Sequence, residues 1–391
     1  MLRLLHTADV HLGARHADLG DAAAAQRERQ FAAFAASVGL ALAEKVDLFL
    51  VAGDLFDSNV QPRRSVERVA AERAREVRAR VRTVLIPGTH DVYDRSSVYR
   101  AYDIAALAGS TPGDDLVTLL TPERPWVHIG ACDVVVHGPV FATKRAPHSP
   151  LRDLAATRTP EATWRLGLLH AAVAIPGRTD HDEVVITTDE IAGSGLDYLA
   201  LGHWHGAQVA KARGVTYAYS GAPEPVALHQ DRAGKVLLVT LEERAGAKSV
   251  TVEERVVGRT TFERVEVDAA TLASQPALVA SLRAGADRDR VLDVRLIGVR
   301  PDELDLDVTE VEEALRADYL RVRVRDHSQP PLTDGPLPPT ETIAGSFIRT
   351  VEERIAALEG SPDTAAAREA EELRDVLRLG RLLLAGQQVT L

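Results

Sequence analysis

"DLFLVAGDLFD", Asp47 to Asp57, is the stretch on which the reading of this chain turns. A short, uninterrupted apolar run bounded by glycine reads as a strand buried on both faces. Gly53 permits close backbone approach, and Asp54 and Asp57 follow where the strand ends. The same texture recurs at Leu2 to His6, Arg82 to Ile86, Val134 to His137, Arg165 to His170 and Tyr198 to Leu201. Helical stretches of about Asp21 to Glu44 and about Pro62 to Arg80 separate the first three of these strands. The alternation is that of an α/β fold.

The chain has 391 residues, and that length predicts two or three domains. Apolar residues make up 45% of it, enough for a real core. Cys132 is the single cysteine, which excludes an internal disulfide and a zinc ribbon and points to a reducing, cytoplasmic setting. In "MLRLLHTADVHL" the residues His6, Asp9 and His11 interrupt the apolar stretch that a signal peptide needs. No run approaches ~18 apolar residues, so no membrane is expected. A net charge of −11 excludes a global basic field, and any nucleic-acid contact must be local or supplied by cations or a partner.

After His205 the texture shifts to strand-like segments, "VTYAYSG", "KVLLVTLEE" and "SVTVEERVV", which predict a second sheet. From about Thr260 a compact α+β unit follows: "TFERVEVD", a helix near Leu272 to Arg283, "RVLDVRLIGV", a helix near Thr309 to Ala317, and "YLRVRVR". The proline-dense "HSQPPLTDGPLPPTET", residues 327–342, reads as a linker. Beyond it Ile343, Phe347, Val351, Ile355 and Leu358 recur at helical spacing. A second helix carries Leu373, Val376, Leu377 and Leu383. The predicted segments are 1–258, 259–326, 327–342 and 343–391.

Five motifs fall at strand ends, where open α/β sheets place their ligands. They are "ADVHLG" (Asp9, His11), "AGDLFD" (Asp54, Asp57), "PGTHD" (His90, Asp91), "GLLHA" (His170) and "LGHWHG" (His203, His205). Each alone is weak, and any one of these residues is as well read as a capping aspartate or a hydrogen-bonded histidine. Jointly they are a set of imidazoles and carboxylates delivered from five strand ends. Without thiolate, such a set suits Mn²⁺, Fe²⁺ or Zn²⁺. Two metals need a bridging carboxylate, and Asp54 is the natural candidate; the pair would activate a hydroxide and clamp a phosphoryl group. His90 would then stabilise or protonate the leaving oxygen.

The order D-x-H, G-D-x-x-D, G-x-H-D, H, G-H-x-H resembles that of the calcineurin-like metallophosphoesterases. Within them, "ADVHLG", "AGDLFD", "DYLALGHWH" and "YSGAPEPV" resemble the DNA-repair exonuclease subunits of the SbcD and YhaO type. The resemblance spans Asp9 to about Pro225, and the later domain order also matches. It implies a two-sheet sandwich flanked by helices, with a small capping domain and a helical tail. It implies a first metal site of Asp9, His11, Asp54 and His205, and a second of Asp54, His170 and His203. His90 becomes the catalytic histidine and Asp57 the acid that orients it, with Mn²⁺ the preferred metal. Further implications are a homodimer, a capping domain that contacts DNA, and C-terminal helices that dock on an SMC-like coiled-coil ATPase.

Thr89 departs from the pattern, standing where the family's G-N-H-D has an asparagine that ligates the second metal. The second site then works with three protein ligands plus water, fills only at raised metal, or belongs to a chain that has lost activity. Outside the motifs, Arg321, Arg323 and Arg325 put basic side chains on one face of a strand, to meet phosphates or solvent. Trp204 stacks on a base or packs, and the tail helices bind a partner or fold back. The leading expectation is a metal-dependent DNA exonuclease or endonuclease subunit. The alternatives are a phosphodiesterase or phosphatase for a small nucleotide or other phosphoester, and a catalytically weakened scaffold.

Overall fold

Residues at odd and even positions of the first two strands part company, as period-two geometry requires. In β1 (Leu2–Thr7) Leu2 and Leu4 face one core and Leu5 another; in β2 (Leu48–Ala52) Leu48, Leu50 and Ala52 part from Phe49 and Val51 in the same way. The computed structural model describes residues 1–391 except 112, 180–181, 228–229, 231, 302–303, 330–336, 360–363 and 385–391. It divides into two compact units, Met1–Phe262 and Glu263–Leu391.

Two six-stranded sheets make up the first unit among the described residues. To β1 and β2 the first sheet adds β3 (Arg82–Ile86) and β4 (Val117–Leu119), all parallel. The second contains β5 (Trp126–Ile129), β6 (Val134–His137), β7 (Trp164–His170), β10 (Tyr198–Gly202), β11 (Gln208–Ala212) and β12 (Val215–Tyr219), while β8 (Ala172–Val173) and β9 (Val185–Ile186) pair separately. Strands β6, β7, β10 and β12 run parallel, with β5 and β11 antiparallel at the edges. The late strands β13 (Lys235–Arg244) and β14 (Ala247–Val256) do not build a sheet of their own. β13 returns antiparallel to β1, and β14, antiparallel to β13, closes that edge of the first sheet, whereas β11 and β12 complete the second.

The central core lies between the sheets, where Leu4, Leu50 and Ile86 share one cluster with Val136, Leu168 and Ala200. The outer face of the first sheet is covered by helices Ala23–Ala43 and Arg63–Ala79 through Phe34, Val38, Val66 and Val69. Leu151, Leu154 and Ile191 cover the outer face of the second. This α/β two-sheet sandwich places the C-terminal ends of β1, β2, β3, β7 and β10 at one edge.

In the second unit, β15 (Thr261–Asp268), β16 (Arg290–Ile297) and β17 (Arg321–Asp326) form a sheet, and Leu278, Leu282, Val311 and Leu315 from two helices close its core. Much of the proline-rich stretch, residues 330–336, lies outside the described residues. Helices Ile343–Glu359 and Thr364–Leu384 pack on each other, with Gly380 against Phe347 and Arg354 paired to Glu369 at 2.9 Å. No helix among the described residues is long and apolar enough to cross a membrane.

Candidate metal centre

Four of the predicted ligands sit in backbone conformations that side-chain-bearing residues rarely adopt. Asp9 has φ 52°, His11 48°, Asp54 50° and His203 105°. Such strain persists only where the surroundings hold it, and here strands deliver each residue straight into a turn. The turns are stitched together: the amide of Asp9 donates to the carbonyl of Gly53 at 3.2 Å, and that of His11 to the carbonyl of Asp54 at 3.0 Å. Gly53 has φ +87°, and a β-carbon there would lie 2.5 Å from His170 Nδ1.

These turns converge buried donors. Asp9, His11 and His205 each place a ligand atom within 4.8 Å of the others, as do Asp9, Asp54 and His170, and also His11, Asp57 and His90. His11 Nε2 faces His205 Nε2 at 3.2 Å and lies 3.8 Å from Asp54 Oδ2. His170 Nε2 lies 3.2 Å from Asp54 Oδ2, yet it is buried without a directed hydrogen bond among the described residues. A buried ring nitrogen left in this way is costly unless something else uses its lone pair. Imidazole and carboxylate without thiolate, aimed at common points, fit hard or borderline divalent cations.

Electrostatics agree with the donor set. Burial opposes charge on His170, but the Asp54 carboxylate and then Asp9 overcome it and push the imidazole up to about 10. Burial likewise opposes charge on His11, where the Asp57 hydrogen bond and the fields of Asp54 and Asp9 prevail. Burial would raise Asp54, but His170 and then His11 hold its carboxyl far below the usual range. At His170 and His11 the pocket thus stabilises positive charge, whereas burial holds the imidazoles of His203 and His205 below their ordinary value.

Around this cluster the remaining predicted residues take distinct places. The amide of His90 donates to Asp54 Oδ1 at 2.7 Å, and its ring Nδ1 lies 3.1 Å from the Asp57 carbonyl. Its side chain is 45% exposed, so Nε2 is left to solvent. The Asp57 carboxylate sits nearer to His11 Nδ1, at 3.2 Å, than to His90 Nδ1, at 3.8 Å. Thr89 is buried, its hydroxyl 3.5 Å from Asp54 Oδ2. His203 is not drawn into any of the three donor groups. Its amide donates to both oxygens of Asp9 at 3.1 Å, while its ring Nε2 turns to Asp182 Oδ2 at 3.6 Å. Trp204 packs on Tyr219, ring centroids 4.6 Å apart. In the second unit Arg321 lies 3.8 Å from Glu312 and Arg325 pairs with Asp293 at 3.1 Å, whereas Arg323 has no carboxylate partner among the described residues.

The model of the calcineurin-like phosphoesterase family matches residues 2–207. The chain belongs to that family. This phosphoesterase is 30% identical over 277 residues to the DNA double-strand break repair protein Mre11 of Aeropyrum pernix, covering 68% of this chain and 64% of that one. It is 30% identical over 282 residues to a subunit of the nuclease SbcCD of Rhodobacter capsulatus, covering 63% of this chain and 67% of that one. To the uncharacterized metallophosphoesterase YhaO of Bacillus subtilis it is 26% identical over 232 residues, covering 56% and 52%. The chain thus spans between about half and two thirds of the length of these curated relatives.

Two supporting residues of the phosphoesterase, Gln230 and Asp182, carry no signal in the sequence, and a third, Asp91, has partners that the sequence does not show. Gln230 hydrogen-bonds His205 Nδ1 through its side-chain nitrogen while its oxygen accepts from the amide of Val226 at 2.7 Å. Asp182 meets His203 from a loop without a motif. Asp91 was visible beside His90, but not its partners: buried, it accepts from the amides of Gly88 and Phe56 and from the Tyr99 hydroxyl at 2.7, 3.1 and 2.6 Å. Asp91 thereby ties the turn that carries His90 to the turn that carries Asp54.

Proposed function

We propose that this phosphoesterase is a nuclease that hydrolyses phosphodiester bonds of DNA as a subunit of a repair complex. The observation that carries the reading is His90, an exposed imidazole held over a buried His and Asp cluster with only Nε2 free. Similarity to a double-strand break repair protein and to a nuclease subunit supports the choice of DNA.

In this reading Asp9, His11, Asp54 and His205 hold one divalent cation and Asp54, His170 and His203 a second, with Thr89 in the place of a weak ligand. Bound there, the cations, manganese in this proposal, supply Lewis-acid polarisation of the phosphoryl group and acidify the attacking water. The chain's own groups set the proton traffic. The Asp57 carbonyl accepts from His90 Nδ1–H and orients the ring, so that the proton given to the leaving oxygen is the second one, carried on Nε2 by the imidazolium form. The Asp57 carboxylate orients His11 rather than His90 at first hand, and Asp9 is aimed by the amide of His203.

The same reading assigns the nuclease to residues 1–258, a DNA-contacting domain to 259–326 and partner docking to 343–391. Val376 and Leu383, 48% and 56% exposed, leave apolar surface on the tail for a coiled-coil ATPase of the SMC type. Arg323 is the member of its trio best placed to meet phosphate, and a homodimer completes the proposal.

With Mn²⁺ the purified protein is expected to degrade linear DNA, and His90→Ala, a change at an exposed side chain, to lower the rate by roughly 10²–10⁴-fold without unfolding. The net charge of −11 favours the competing reading, a small phosphoester as substrate. Hydrolysis of small phosphodiesters but never of DNA selects that reading. Inactivity on every phosphoester, with fewer than one metal bound per chain, leaves a scaffold.

A further inference from the structure

We infer that Arg178 and Arg232 form a subsite for the phosphate next to the scissile one in a nucleic-acid strand. The inference rests on the nuclease reading and deepens it. A cleft lined by Arg178, His203, Trp204, His205, Gln230 and Arg232 opens directly beside two of the candidate ligands. Both arginines are exposed, and neither has a carboxylate partner among the described residues. Other exposed arginines, Arg63, Arg68 and Arg124 among them, are each neutralised by an acid at 2.8, 2.8 and 3.1 Å, whereas these two keep their charge available beside the candidate ligands.

Both cations are also tethered to the turn that carries His203 and His205. Tyr219 donates to the Ala171 carbonyl at 2.9 Å and accepts from the Val173 amide at 2.8 Å, which fixes its ring. Trp204 stacks on that ring, and the Arg178 guanidinium lies over the indole, 5.6 Å from its centre. The indole, stacked on Tyr219 and contacted by Arg178, is a positioning residue for a cation. Arg232 is held at its backbone, where its carbonyl accepts from the Ala207 amide at 3.3 Å. A strand repelled by the overall charge gains here two cations placed beside the reacting phosphate, and the planar guanidinium suits phosphate oxygens. A substrate with one phosphate has nothing to place there.

The test measures binding of a fluorescein-labelled single-stranded oligodeoxynucleotide by anisotropy in chelator across a salt series, and then hydrolysis with Mn²⁺. The double variant Arg178→Ala/Arg232→Ala is expected to bind about tenfold more weakly and to flatten the log–log salt slope by about 1.4, some 0.7 for each phosphate no longer neutralised. Arg64→Ala, which removes the same kind of charge from an exposed helix, is expected to keep the wild-type slope. With Mn²⁺ the double variant should lose about tenfold more kcat/KM on the oligonucleotide than on bis(p-nitrophenyl) phosphate. A wild-type salt slope in the double variant, with the oligonucleotide still cut, overturns the subsite and leaves the nuclease reading standing. A wild-type protein that hydrolyses bis(p-nitrophenyl) phosphate but neither binds nor cuts the oligonucleotide overturns the nuclease reading itself, and the subsite with it.

Discussion

Gly53→Ala is the sharpest test of how this site is built, because one methyl group meets the backbone and a candidate ligand at once. At φ +87° the new residue occupies left-handed backbone, which costs about 1–2 kcal/mol. Its β-carbon would lie 2.5 Å from His170 Nδ1, against 3.4 Å or more for an ordinary contact, so the ring must retreat by about 0.9 Å. The other near atom, Gly88 Cα at 2.9 Å, is backbone and cannot give way cheaply. The hydrogen bond between His170 Nδ1 and the Ala52 carbonyl, now 2.9 Å, does not survive that movement and costs about 1 kcal/mol more. The sum, about 2–3 kcal/mol, lowers the melting temperature of a unit this size by roughly 4–12 °C. Calorimetry in chelator measures that loss, and manganese titration should show affinity reduced more than about tenfold. Gly214→Ala, with open space around it, serves as the control. A Gly53→Ala protein that melts within about 2 °C of wild type and binds manganese equally well would refute the reasoning.

Two further outcomes follow from groups at different depths. His6 is fully buried beside the Tyr198 hydroxyl at 2.9 Å, and burial takes its imidazole down to about 3. The unfolded chain takes up the proton first, so the contribution of neutral His6 is complete above pH 6.5 and is lost as pH falls toward 3. Between pH 6.5 and 5 this amounts to ~2 kcal/mol, and His6→Gln should lose that much less over the same interval in urea titrations done in chelator. Thr89→Asn exchanges a hydroxyl for a carbonyl oxygen with longer reach beside Asp54 and is expected to tighten binding of the second metal. An unchanged or lowered stoichiometric affinity by calorimetry counts against this view of the turn.

The sequence showed those features that rest on local patterning. The edges of β3 and β6 were legible to the residue because each holds an apolar run, "VLI" and "VVV", flanked by polar residues or proline. Strands β4, β5 and β11 were not, being short edge segments with little period to read. That β13 and β14 join the first sheet and not the second is a matter of tertiary pairing, which no periodicity in "KVLLVTLEE" encodes. The site divides in the same way. His11, Asp54, His90 and His170 announce themselves by residue type at strand ends. Whether a side chain turns inward depends on loop geometry, so nothing in "GHWH" reveals that the His203 ring leans to Asp182 or that Trp204 lies on Tyr219. The positive φ angles of Asp9, His11 and Asp54 were equally hidden, since aspartate and histidine give no warning of them.

Asp9, His11 and Asp54 stand on the first sheet, whereas His170, His203 and His205 stand on the second. The site is therefore a seam between the two layers, and its donors can meet only if both sheets have found their mutual registry. Chemistry and tertiary assembly are in this way read by the same atoms. A chain whose sheets are individually sound but slipped against each other would keep its secondary structure and lose the site. The seam makes cation uptake a reporter of correct layer packing, more discriminating than circular dichroism.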